Sequence, residues 1–102
     1  MRVWLDDVRP KPEGFDVWAH DAAQAIDLLE TGNVTHISLD HDLGDTEFHQ
    51  TGYTVASAIE EWVFQGRIPM PTWQIHSANP VGRENMRMAL YSAENFANGK
   101  KY

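Results

Sequence analysis

The chain has 102 residues, 42% of them apolar, no cysteine and a net charge of −7. That length predicts one domain (1–102) around a single small core. The missing thiols exclude a disulfide framework, and 15 acids against 8 bases argue against a surface that grips duplex DNA.

No apolar stretch approaches the roughly 20 residues of a membrane helix. Asp6 and Asp7 interrupt the first apolar run before a leader peptide is complete, so no membrane association and a cytoplasmic setting are expected.

In chain order, residues 2–5 (RVWL) read as a short buried strand ending in Asp6-Asp7. RPKPEG is a loop, because its prolines deny backbone donors. FDVWAH at 15–20 is a second strand. Asp21 caps the first helix, with Gln24 as its capping-box partner; Ala22, Ala25, Ile26 and Leu29 form its stripe and Gly32 ends it. HISLDHDL is the third strand, and the polar segment 44–51 a loop. A second helix from about Gly52 presents Val55, Ile59, Trp62 and Val63 and stops near Gly66. TWQIHS is the fourth strand. The last helix starts at Pro80 behind an Asn79 cap, with Met86, Leu90, Ala93 and Ala97 as its buried stripe and Phe96 on the flank.

This order predicts an α/β, three-layer, doubly wound domain with a mainly parallel four-stranded sheet and three helices. The loop between the first two strands is too short for a full crossover helix. Either those strands pair antiparallel, or the crossover is abbreviated; the second arrangement is the one expected.

Three hydrophobic runs close in polar clusters: VWLDDVRP, ISLDHDLG and WQIHSANP. A parallel sheet brings strand carboxyl ends to one edge, so the clusters meet there. Asp6 and Asp7, with Asp40 and Asp42 from the third strand, offer hard oxygen ligands suited to a divalent ion, Mg²⁺ or Mn²⁺ before others. A lone Asp at such a place is usually a turn cap; four at two strand ends suggest a site. His41 and His76 can ligate a metal or move protons near neutral pH. His20 and His36 read as structural, and His49 in the following loop as either idle or able to close over a ligand.

In SANPVGR, the free N–H groups of the last helix suit an anion, and Gly82 allows close approach to the backbone. Arg83 sits where the helix dipole disfavours a cation, so it either meets an anionic ligand, extends into solvent or pairs with Asp42. Arg9 is a second candidate phosphate ligand. Ser77 adjoins His76, but neighbours on a strand point oppositely. It is therefore read as a phosphate-orienting hydroxyl with Asn79, not as a nucleophile. The four tryptophans read as core or semi-core, and no Gly-rich dinucleotide or P-loop pattern occurs.

LDDVRPKP, SLDHDLG with the following TGY, and HSANPVGRENM together resemble the signatures of the cyclic-phosphate-processing receiver-like domain, a compact relative of two-component receivers. The resemblance implies a flavodoxin-like, receiver-like sheet and a role in processing cyclic phosphate ends of nucleotides or RNA. By comparison with receivers, Asp6-Asp7 match the Mg²⁺-holding acidic pair, Asp40 the phosphoacceptor and Ser77 the hydroxyl ending the fourth strand. The chain departs from receivers in reducing the first helix to RPKPEG and in lacking a lysine at the end of a fifth strand.

Two functions are therefore expected. The first is a metal-dependent phosphoesterase with Asp6, Asp7, Asp40 and Asp42 as metal ligands. In it Asp40, His41 and His76 are catalytic, and Arg9, Ser77, Asn79 and Arg83 bind a small phosphorylated nucleotide or RNA end. The second is a non-catalytic receiver-like module that binds a metal or phosphorylated ligand and acts through a protein partner.

Overall fold

The computed structural model describes residues 1–44 and 50–99. Four strands, β1 (Arg2–Leu5), β2 (Val17–Ala19), β3 (His36–Leu39) and β4 (Thr72–Ile75), form one sheet in the order β2-β1-β3-β4. Every pairing is parallel. The orientation of β2 is thereby settled: Val3 pairs with Val17 and Leu5 with Ala19, so segment 6–16 is a crossover made without a helix.

Three helices follow: α1 (Ala22–Glu30), α2 (Gly52–Phe64) and α3 (Pro80–Ala97). The β2–α1–β3 and β3–α2–β4 units step the same way across the sheet, so right-handed crossovers lay both helices on one face. The third helix packs along the second.

Strand alternation then divides the side chains. Val3, Leu5, Ile37 and Leu39 point to the helices and join Leu29, Val55, Ile59, Met86 and Leu90 in one fully buried core. The opposite face is covered by the 6–16 loop and a layer of rings. Trp4 stacks on His76 with centroids 3.9 Å apart and meets Phe15 edge-on at 5.3 Å. Loop carbonyls satisfy the indoles: Trp4 Nε1 donates to Arg9 O and Trp18 Nε1 to Asp6 O. Arg2 anchors the loop's far end, bonding Asp16 through its backbone N–H and Gly14 through its guanidinium. A loop and rings thus make the third layer.

The caps follow the sequence with small differences. Asp21 accepts from the Gln24 N–H, but the Gln24 side chain reaches back to His20 N–H instead of to the cap. Thr51 and Thr54 form a reciprocal capping box for α2. Asn79 accepts from Gly82 N–H behind Pro80, as the sequence indicates. Ala97 departs from expectation: it is exposed, and in that last turn it is Phe96 that meets α2, its ring 4.6 Å from that of Phe64. His49 and most of its loop lie outside the described residues.

Gly52 starts α2 against the end of β3, donating its N–H to His41 O at 2.9 Å. A Cβ there would lie 2.0 Å from Asp40 O and 2.8 Å from Met86 Sδ. Gly52→Ala therefore forces strand and helix apart and costs about 1–3 kcal/mol. Urea titration should show the lower midpoint; an unchanged midpoint would mean that the close approach is dispensable.

Candidate functional site

Register builds the site. Leu5 pairs with Leu39 and Leu39 with Ile75, so the next residue on each strand comes level at the carboxyl edge. The ladder continues one step further, with Asp40 N–H donating to Leu5 O and His76 N–H to Leu39 O, both at 3.0 Å. Alternation turns Asp6, Asp40 and His76 away from the helices, onto the face that carries Trp4 and Ser38. One ligand atom from each lies within 4.8 Å of the others.

The three groups are held differently. Asp6 is fully buried; its Oδ1 accepts from Val8 and Arg9 N–H at 2.9 and 2.8 Å, and its Oδ2 accepts from His76 Nε2 at 3.1 Å. Burial alone would raise its pKa, but these three donors outweigh burial and hold it below the ordinary carboxylate range. Because Asp6 is a carboxylate, His76 Nε2 carries the proton. Nδ1 then accepts the Ser38 hydroxyl at 2.7 Å. Burial keeps His76 below its usual pKa, and Trp4 stacks on its ring.

Asp40 is pushed the other way. Burial and then the Asp6 charge raise its pKa, against partial relief from His76, the His41 N–H and the Ser77 hydroxyl. Among the described residues no lysine or arginine forms an ion pair with Asp6 or Asp40. Two neighbouring carboxylates without a cationic side chain fit a divalent ion, whose charge would reverse the penalty on Asp40.

The remaining sequence candidates surround this trio. Ser77 is buried; besides bonding Asp40 it accepts from Asn79 N–H at 3.1 Å. His41 Nδ1 donates to Asp42 Oδ1 at 2.9 Å, and Asn79 Nδ2 donates to the same oxygen at 3.2 Å. These two bonds lower the Asp42 pKa and aim its carboxylate at His41. Asp7 stands apart from the three-ligand group, with its Oδ2 2.9 Å from where a Gly44 Cβ would sit.

Arg9 is exposed, its Nη1 3.5 Å from His76 O. Arg83 is exposed, and among the described residues no acid pairs with it. Gly82 serves differently from expectation: the His41 ring fills its open side, 2.3 Å from where a Cβ would stand, so the glycine admits a side chain. His36 is structural, bonded to Thr72 and Gln74.

Sequence reading misses Ser38 and Trp4, which fix the ring of His76 from its edge and its face. The available signal was period two: Trp4 precedes Asp6, and Ser38 precedes Asp40, by two residues, so each shares its face.

The parallel sheet, its strand order and the acids at its carboxyl edge define a receiver-like α/β domain. More narrowly, the chain belongs to the cyclic-phosphate processing receiver domain family, whose model matches residues 1–92. Comparison with curated proteins and with solved structures gave no match.

His36 and His76 both have pKa values lowered from 6.5, first by burial. The unfolded chain therefore binds more protons below that value, so stability falls as pH drops from 6.5 through the lowered folded values. Asp40 acts oppositely, in a more acidic window just above its ordinary 3.8. Thermal melts of metal-free protein should lose several degrees between pH 7 and 5, with a shallower slope in His36→Gln. A melting temperature constant over that window contradicts the assignment.

Proposed function

We propose that this domain hydrolyses the cyclic phosphate end of a nucleotide or RNA, assisted by a divalent cation, Mg²⁺ or Mn²⁺. The observation that carries the reading is the convergence of Asp6, Asp40 and His76 within 4.8 Å, beside Ser77 and the capped start of α3. In the reaction water adds to phosphorus and loses a proton, one ring P–O bond breaks, and the leaving alkoxide is protonated. The product is a phosphate monoester.

Asp6 and Asp40 would hold the cation; His76, whose Nδ1 accepts from Ser38, would release its Nε2 proton from Asp6 either to become a third ligand or to protonate the leaving oxygen. When bound, the cation draws charge from the phosphate and makes water more acidic. The chain's own groups do the rest. Asp42 ties down Nδ1–H of His41, which leaves the Nε2 lone pair to take the proton from water. In this assignment Asp42 orients His41, and Asp7 supports the edge from outside the trio. Ser77, Asn79, Arg9 and Arg83 bind phosphate oxygens, with the Val81 N–H from the start of α3, since Pro80 has no N–H and Asn79 takes those of Gly82 and Arg83.

Asp40→Asn removes the raised carboxylate. Hydrolysis of a 2′,3′-cyclic nucleotide should fall at least about a hundredfold. The metal-free variant should melt roughly 2–5 °C higher than wild type, since a like-charge neighbour of Asp6 is gone. Mn²⁺ should raise the melting temperature of wild type only. Full activity in the variant contradicts the assignment. Stoichiometric beryllofluoride binding at Asp40 without turnover favours the signalling module instead.

A further inference from the structure

A groove of about 470 Å³ runs between β4 and α3 on the outer edge of the sheet. Two of its lining residues neighbour the site along the chain: Ile75 precedes His76 on the other face of β4, and Pro80 follows Asn79 at the start of α3. Along α3 its wall is built at helical spacing from Arg83, Arg87 and Tyr91, which stand four residues apart on one face. Tyr91 is 45% exposed and meets Trp73 edge-on at 5.3 Å. The Arg87 guanidinium lies over the Tyr91 ring, 5.3 Å from its centroid. Glu84 also lines the groove, but its carboxylate is taken by Arg87. Arg83 therefore carries the uncompensated charge, which is positive in a chain of net charge −7.

An exposed ring, a guanidinium laid on it and a free cation beside a phosphate site are the elements that recognise single-stranded RNA. Bases stack on aromatic and guanidinium planes, and the cation, Arg83, keeps its assignment to the cyclic phosphate at the near end of the groove. We propose that this groove is a subsite for the nucleotide preceding the cyclic end, so the preferred substrate is an RNA strand and not a free cyclic mononucleotide. The proposal rests on the phosphoesterase reading for the position of the end, but binding tests it separately.

The experiment compares a short oligoribonucleotide ending in a 2′,3′-cyclic phosphate with the corresponding cyclic mononucleotide. Turnover of both is measured, together with binding of the fluorescently labelled oligonucleotide in the presence of Mn²⁺. Wild type should prefer the oligonucleotide in kcat/KM. Tyr91→Ala and, independently, Arg87→Gln should lose about tenfold in its kcat/KM and affinity, with mononucleotide turnover unchanged. Equal kcat/KM for the two substrates, insensitive to both variants, overturns the subsite and leaves the hydrolase intact. Oligonucleotide binding that depends on Tyr91 without turnover of either compound overturns the hydrolase and supports the subsite. No binding of the oligonucleotide overturns the subsite.

Discussion

Two carboxylates held side by side at the edge of a parallel sheet are the constraint on which this molecule turns. Asp6 and Asp40 are brought level by strand register, and neither can move without breaking the ladder between β1 and β3. Their charges repel in a partly dry setting, and the protein divides the load unequally. Two loop N–H groups and His76 keep Asp6 ionised, while Asp40 bears most of the penalty. A group left in that condition is suited to a cation, and the neighbouring hydroxyl and imidazoles then acquire a purpose.

The unusual covering of the sheet serves the same end. Where a helix would pack, the 6–16 loop folds back and offers the Val8 and Arg9 N–H groups to Asp6. The same loop accepts the Trp4 indole N–H, which seats the ring against His76. Ser38 secures the far side of that imidazole. A helix in this place would have spent its N–H groups internally. The abbreviated crossover is thus part of the site.

Much of this was legible in the chain. The apolar runs at 2–5 and 36–39 stop at Asp, and the caps at Asp21 and Asn79 locate two helix starts, because local hydrogen bonding decides both features. The direction of β2 was legible only as a preference, since a loop of that length allows either pairing; the abbreviated crossover expected is the one found. Ser38 and Trp4 escaped notice because their roles depend on which strand lies beside which. Gly82 was given to a ligand when His41 occupies its open side, a contact made only once α3 docks. The groove by Tyr91 likewise exists only between two packed elements. Local signals place the acids; tertiary register decides which of them share a ligand.

The most direct measurement is anomalous diffraction at the manganese edge from crystals grown with Mn²⁺. The account predicts one ion between Asp6 and Asp40, within coordinating distance of both carboxylates. An ion bound instead at Asp7 or Asp42, or no ion at this edge, would contradict it.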